Sequence, residues 1–343
     1  MIWLTLRQFR VQMYVAAAAL VLFAVLLGMT GPGLAHLYTG SGLAACHAPS
    51  NCSALTTTFL EEMKADSTYT LVYFLTAAAM ILAPALIGAF WGAPLITHEV
   101  EAHTLRLVWY QSVTRSRWTA AKLGLLGLIS IVFTGLLSLM TTWWAAPIDD
   151  AGGFPINQGQ LSRFSPQIFD ARGVAPLGYA AFAFVLGVSL GMLTKRTVPA
   201  MAITLVVFAA IQIAVPAMVR PAMITPETQT SAVLTVSDLN TMTVQNSGAL
   251  TVPVDIPNAW IVSNQTLTAD GHQFILTAVP ACQDKDKADC VAWLAQQHLR
   301  QKVTYQPAGR YWDFQWYETT MFLVLAALLA GFCLLWVHRG HIA

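Results

Sequence analysis

Two histidines and two glutamates lie close together in the segment H-E-V-E-A-H at residues 98–103, and these are residue types that hold zinc or act as a general base. In the H-E-x-x-H motif of zinc proteases, both histidines face one side of a helix. Here His98 and His103 are one residue further apart than in that motif, and at about 100° per residue they point to different faces. The spacing therefore argues against a shared metal ion and against a metalloprotease.

The sequence also has no nucleotide site of its own. The P-loop pattern G-x-x-x-x-G-K-[ST] is absent, and none of the 22 glycines is followed by lysine. No convincing cluster of nucleophile and base residues stands out elsewhere in the sequence. We therefore expect that the chain is not an enzyme and that it holds no cofactor.

Composition indicates an integral membrane protein. Of the 343 residues, 56% are hydrophobic and only 10% are charged, whereas about 25% of the residues in soluble proteins are charged. The net charge of +1 gives no overall basic field, so we expect no nucleic-acid partner. Six segments have the roughly 20 apolar residues that cross a bilayer, at 13–33, 69–95, 121–144, 175–194, 199–219 and 319–338.

The expected fold is mainly α, a polytopic bundle of six transmembrane helices with a small α+β segment between helices 5 and 6. We expect four parts: a cytoplasmic interfacial helix at 1–12, helices 1–5 at 13–219 with a charged loop at 96–120, an extracytoplasmic domain at 220–318, and helix 6 with a cytoplasmic tail at 319–343. A plain lead-in is the alternative for 1–12. The domain is rich in Thr and Val, which predicts short strands, and its spacing becomes helical at 287–302. It would serve either as a gate or substrate collar, or as a structural cap.

Basic residues predict the orientation in the membrane. Lys and Arg are concentrated in the loops on the side of the N-terminus, so the positive-inside rule places both termini of this multi-pass protein of the cell membrane in the cytoplasm. Cys46 and Cys52 then share the first outside loop, and Cys282 and Cys290 share the outer domain. Two disulfides are the natural pairing in an oxidising compartment, with free thiols as the alternative.

The proposed spans hold almost no ionisable side chains, and Gln212 is the most polar residue well inside one of them. Proton-coupled carriers usually place Asp, Glu, Arg or His within the bilayer. A transport function would therefore need energy delivered from the cytoplasmic side. The loop at 96–120 is the only cytoplasmic feature large enough to receive it.

This loop resembles the ABC-2 type exporter permeases. Its residues follow the pattern E-x-E-x-x-T-x-x-L…S-V-T-R…K of that family, here Glu99, Glu101, Thr104, Leu107, Ser112-Val113-Thr114-Arg115 and Lys122. Two further stretches, F-D-A-R-G at 169–173 and Q-P-A-G-R-Y-W at 306–312, resemble the narrower group of six-span members found in actinobacteria. One departure is His103, where many relatives have Gly before the Thr. The resemblance covers nearly the whole chain.

The resemblance implies both a function and partners. In this family two permease chains pair with two separate ATP-binding subunits, which hold the ATP and Mg, and the loop between spans 2 and 3 carries a coupling helix that docks into such a subunit. The expected coupling residues are Glu99, Glu101, Thr104, Trp109, Tyr110, Arg115 and Arg117. The two glutamates and the two arginines would anchor the contact with the ATP-binding subunit, and Trp109 and Tyr110 would fill a groove on its surface. The variant Glu99→Lys would then remain stable, but ATP hydrolysis would no longer be coupled to transport.

The expected function is the permease subunit of an ATP-driven exporter for a hydrophobic or amphipathic substrate. Its partners would be the ATP-binding subunit, membrane lipid and a second permease chain, in a homodimer or a heterodimer. The alternative is a membrane sensor or immunity protein whose extracytoplasmic domain binds an envelope ligand without transport. Co-purification with an ATPase would separate the two hypotheses.

Overall fold

The structure is a computed structural model that describes residues 7, 9–46, 52–101, 115–156, 159–244, 248–254, 256, 258–276, 282 and 287–339. The chain divides into two compact units. The first comprises Met1–Arg220 with Trp312–Ala343, and the second is Pro221–Tyr311. The predicted helix at 1–12 falls largely outside the described residues, and Arg10 already begins the first long helix.

Helices dominate the chain. In chain order the described helices are α1 (Arg10–Gly40), α2 (Ser53–Ala65), α3 (Ser67–Glu101), α4 (Arg115–Asp150), α5 (Pro166–Phe169), α6 (Ala175–Thr194), α7 (Thr197–Met223), α8 (Val236–Asn240), α9 (Lys287–Ala295) and α10 (Tyr311–His338). Six of them, α1, α3, α4, α6, α7 and α10, are long and apolar enough to cross a membrane. The predicted fold class is confirmed.

Local sequence signals set several helix ends. The side chain of Asp66 accepts a 2.8 Å hydrogen bond from the backbone N–H of Thr68, which caps the first turn of α3. Pro176 lies in the first turn of α6, where a missing N–H costs nothing. Lys195 ends α6 in the left-handed conformation (φ 56°), and α7 begins at Thr197. The tight basic turn therefore makes α6 and α7 antiparallel neighbours.

Helix α6 is the centre of the bundle. In its apolar segment 72% of the residues are buried, compared with 6% in α1 and 22% in α7 and α10. Glycines bring α3 close to it: a Cβ on Gly191 would lie 2.6 Å from the carbonyl oxygen of Ala93, and one on Gly88 would lie 2.5 Å from that of Ala183. Gly187 is equally confined by the carbonyl of Gly88. Small residues thus allow the two backbones to touch.

A short hairpin and the helix α5 connect α4 to α6. Strand β1 (Phe154–Ile156) pairs antiparallel with β2 (Gly159–Leu161). The ring of Phe154 stacks on Tyr73 of α3, with ring centroids 4.5 Å apart. This connection therefore packs against the bundle.

The second unit is a small α+β domain. Its strands are β3 (Glu227–Val233), β4 (Thr243–Val244), β5 (Leu250–Thr251), β6 (Trp260–Leu267) and β7 (Arg300–Gln306). The main sheet is antiparallel in the order β3-β7-β6, and β4 pairs with β5. The helix expected at 287–302 ends at Ala295, because β7 pairs with a strand on each side and this tertiary pairing overrides the local helical spacing.

Both cysteine pairs are joined as the sequence suggested. Cys46 and Cys52 form one disulfide, with Cα atoms 6.0 Å apart, and Cys282 and Cys290 form another at 4.6 Å. Cys333 is a buried free thiol. The second disulfide contributes to the apolar core of the domain, which also contains Leu294.

Candidate functional site

The structure describes the two flanks of the predicted coupling loop. Thr104, Trp109 and Tyr110 lie outside the described residues. Arg115 is the first residue of α4, and Arg117 is exposed. We call the end of the bundle that carries these flanks the loop end.

Glu99, at the first flank, is buried inside the bundle. Its side chain is 7% exposed and accepts a 2.6 Å hydrogen bond from Nζ of Lys122, which is 4% exposed. That ammonium also lies 4.2 Å from the ring centroid of Trp118. The ion pair joins α3 to α4. Glu99 therefore forms an ion pair within its own chain, and its role in anchoring a docked partner stays a prediction.

Glu101 is exposed and joins α3 to the start of α7. Its two carboxylate oxygens accept hydrogen bonds from the backbone N–H and the hydroxyl of Thr197, each at 2.8 Å. The first N–H groups of a helix lack partners within the helix, and the helix dipole favours a carboxylate at this position. The hydroxyls of Thr97 and Thr197 are 2.7 Å apart and add a second link.

The start of the loop is thus tied to two neighbouring helices. A displacement of the loop would reach α4 through Lys122 and α7 through Thr197. It would also move α3, whose glycines contact the central helix α6. Among the described residues, side-chain and backbone contacts thus connect the start of the loop to α4, α6 and α7.

A second buried cluster lies at the opposite end of the bundle, centred on Arg220, which is 1% exposed. Its Nε donates to Glu318 at 2.9 Å, and its Nη2 donates to Glu318 at 3.0 Å and to Asp170 at 2.5 Å. The hydroxyl of Tyr179 lies 2.6 Å from Glu318 and 3.1 Å from Asp170. The guanidinium also lies 3.9 Å from the ring centroid of Phe169. The cluster joins α6, α7 and α10.

Asp170 belongs to the stretch F-D-A-R-G, which α10 and α4 hold in place. The amide of Gln315 accepts hydrogen bonds from the backbone N–H groups of Val174 and Ala175 at 3.0 and 2.8 Å, and donates to the carbonyl of Phe169 at 3.2 Å. From α4, the hydroxyl of Ser138 donates to the carbonyl of Gly173 at 2.6 Å.

Arg172 in the same stretch forms an ion pair with Asp149 of α4, and its guanidinium lies 5.1 Å from the ring centroid of Tyr73. Burial raises the pKa of Asp170 to about 6, against the lowering effect of the neighbouring Arg220 guanidinium. The protonation of Asp170 therefore changes in the weakly acidic range.

The sequence alone does not reveal this cluster. From the sequence, Arg220 and Glu318 are expected to belong to the extracytoplasmic domain, and the spans to hold almost no ionisable side chains. The structure places Arg220 in α7 and Glu318 in α10, each 1% exposed, so that expectation was wrong near the ends of the spans. The F-D-A-R-G motif contains Asp170, but nothing in the neighbouring sequence indicates that Asp170 pairs with Arg220, which lies 50 residues further along the chain.

The remaining described surface offers no metal site, because no group of three or more His, Cys, Asp or Glu lies close enough to hold an ion within the described ranges. An apolar groove of about 620 Å³ runs between α1, α3 and α4. Aromatic side chains line part of it, namely Phe23, Phe90, Trp91 and Phe133. Such a surface suits an apolar molecule or a lipid chain.

Comparison with known proteins identifies the family. The family described as ABC-2 membrane transporter related matches residues 17–220, more than half of the chain. This stretch extends from α1 into α7 and includes the loop end, Asp170 and Arg220. Neither the comparison with curated proteins nor that with solved structures gave a match. With six long apolar helices and this match, the chain belongs to the ABC-2 membrane transporter related family and is a multi-pass permease.

Proposed function

We propose that this permease is the transmembrane subunit of an ATP-driven exporter, and that a separate ATP-binding subunit docks at the loop end. The chain itself has no P-loop, so a nucleotide-dependent cycle needs a second protein. The observation that carries the proposal is the buried ion pair of Glu99 and Lys122, which joins two long helices where the charged loop leaves the bundle.

The loop residues divide between docking and transmission. Thr104, Trp109, Tyr110, Arg115 and Arg117 are the proposed contacts with the partner. Three residues transmit the movement within this chain: Glu99, Glu101 and Lys122, by the contacts described above. Mg-ATP bound in the partner would change the partner's shape, and the docked loop would carry that change to α3, α4 and α7.

Orientation and assembly complete the proposal. Both termini and the loop end face the cytoplasm, and residues 221–311 lie outside, as the distribution of Lys and Arg favours. The exposed apolar side chains of α1, including Tyr14 and Leu22, face lipid or a second permease chain, which is either identical or related. A hydrophobic or amphipathic cargo fits the apolar groove beside α1. The outward direction of transport follows from the resemblance to the ABC-2 type exporters.

Purification of the tagged chain from its native membrane in mild detergent tests the proposal. We expect a P-loop protein in stoichiometric amount and ATPase activity in the complex. A monomer that binds an envelope ligand through residues 221–311, with no ATPase, would instead support the sensor or immunity function.

A further inference from the structure

The cluster at the opposite end of the bundle contains two carboxylates and one guanidinium. Asp170 and Glu318 share Arg220, and all three side chains are at most 7% exposed. With both acids ionised, the three side chains carry a net charge of −1 in a site closed to water. Burying such an uncompensated charge is strongly unfavourable, whereas burying a protonated carboxyl group is much less so.

The hydrogen bonds identify where a proton would sit. Tyr179 has a single hydroxyl hydrogen, and its shorter contact is to Glu318, at 2.6 Å compared with 3.1 Å to Asp170. Glu318 also receives two bonds from Arg220, whereas Asp170 receives one. Asp170 receives fewer of these hydrogen bonds, and it is therefore the acceptor for an additional proton.

The other charged groups that face Asp170 do not neutralise the excess negative charge of the cluster. From α7 it meets Arg220, from α10 Glu318, and from α6 Tyr179. On its own stretch, Arg172 is already paired with Asp149 of α4. Nη1 of Arg220 has no hydrogen-bond partner among the residues that the structure describes. Among the described residues, the guanidinium thus forms ion pairs with these two acids alone.

The stretch that carries Asp170 is a separate piece of structure. We call residues 168–173 the plug segment; its first five residues are each at most 5% exposed, between α4, α6, α7 and α10. We propose that the plug segment is a gate at this end of the permease, and that its closure binds one proton at Asp170. The gating role rests on the proposed transport function, whereas the proton site does not.

The sign of the effect follows from burial. An exposed aspartate has a pKa of about 3.9, and burial raises the pKa of Asp170 to about 6 when the plug segment is seated. A group whose pKa is higher in the closed state than in the open state stabilises the closed state. This stabilisation is fully present at acid pH, below the pKa of the open state. That stabilisation is lost as the pH rises through about 6. Acid should therefore close the gate.

Thiol labelling of the plug segment measures this closure in the permease alone, without nucleotide. Ala171→Cys, in a Cys333→Ala background, places a probe at a side chain that is 1% exposed, and Gln167→Cys is the matched exposed control. Relative to that control, we expect labelling of residue 171 to be about tenfold slower near pH 5 than near pH 7.5. Adding Asp170→Asn, which mimics the protonated acid, should give slow labelling at both pH values.

Infrared spectroscopy of the chain with no cysteine probe keeps the inference testable if Ala171→Cys does not fold. In the difference between spectra taken near pH 5 and near pH 7.5, we expect the carbonyl band of protonated carboxyl groups to be smaller in Asp170→Asn by about the contribution of one carboxyl group. Labelling that is independent of pH or faster in acid, or an acid-induced carbonyl band that Asp170→Asn leaves unchanged, would overturn the proton site. Failure to find an ATPase partner would leave these results unchanged and would overturn only the transport proposal.

Discussion

Nζ of Lys122 donates a 2.6 Å hydrogen bond to the carboxylate of Glu99, and both side chains are almost completely buried although they flank a charged loop. Two long helices therefore cannot separate at the loop end without exposing or unpairing these charges. Water screens exposed ion pairs, but it has little access here. The pair acts as a joint between α3 and α4.

Removing one partner of this joint should be strongly destabilising. Lys122→Met leaves the carboxylate of Glu99 buried without its cation, and we expect a loss of about 3–5 kcal/mol in stability, measured by thermal or denaturant unfolding in detergent. Arg117→Met, at an exposed position of the same helix, is the control and should be near neutral. The double variant Glu99→Gln, Lys122→Met should recover much of the lost stability. Equal losses in the single and double variants would show that the two buried charges do not stabilise each other.

The expected effect of Glu99→Lys changes in consequence. This substitution would bury two ammonium groups against each other, so we expect poor folding in place of clean uncoupling. The charge exchange Glu99→Lys with Lys122→Glu should restore folding, as measured by the yield of monodisperse protein. A stable Glu99→Lys single variant would contradict the buried geometry.

Glu101→Ala should separate coupling from stability. The side chain is exposed, so the protein should remain folded, but α7 loses the carboxylate that binds the backbone and hydroxyl of Thr197. We expect ATP hydrolysis by the complex to continue with weaker dependence on transport substrate. Glu61→Ala, another exposed glutamate, is the control. Unchanged coupling in Glu101→Ala would remove Thr197 from the proposed transmission.

Gly187→Ala should loosen the contact between α3 and α6. The added methyl group would collide with the carbonyl of Gly88, a backbone atom that cannot swing aside. We expect a loss of about 1–3 kcal/mol, as for other overpacked interiors. The matched helix glycine is Gly331, where an added methyl group would meet nothing within 4 Å, so Gly331→Ala should be neutral or slightly stabilising. A neutral Gly187→Ala would contradict the close approach.

The disulfides can be counted by mass. Alkylation of the denatured, unreduced chain should modify one cysteine, Cys333, because Cys46 is joined to Cys52 and Cys282 to Cys290. After reduction all five should be modified. Alkylation of all five without reductant would favour free thiols and would remove this support for an oxidising environment on that side of the membrane.

Local patterns were enough to predict the membrane fold. Long apolar runs predict the helices because a bilayer requires about 20 apolar residues in succession, and the tight turn at Lys195 makes α6 and α7 neighbours. The helix expected at 287–302 failed in part, because β7 is stabilised by strands distant in sequence. Periodicity reports local preference and contains no information about such partners.

The site was less predictable for the same reason. The sequence pattern of the charged loop predicts a functional role for Glu99, but only the structure shows that Lys122 forms an ion pair with it. Likewise, Arg220 and Glu318 lie near the ends of apolar runs, where charges usually reach water, so their burial against Asp170 could not be inferred. Charge pairing between distant segments depends on how the helices pack.

ATP hydrolysis by the complex purified from native membranes is the decisive measurement. We predict that a P-loop subunit accompanies this permease and hydrolyses ATP, and that both the association and the substrate dependence of hydrolysis are lost when residues 102–114 are replaced by a Gly-Ser linker of equal length. A permease that transports with no ATPase subunit, or a complex whose ATPase is indifferent to that replacement, would contradict the proposed energy source and its docking site.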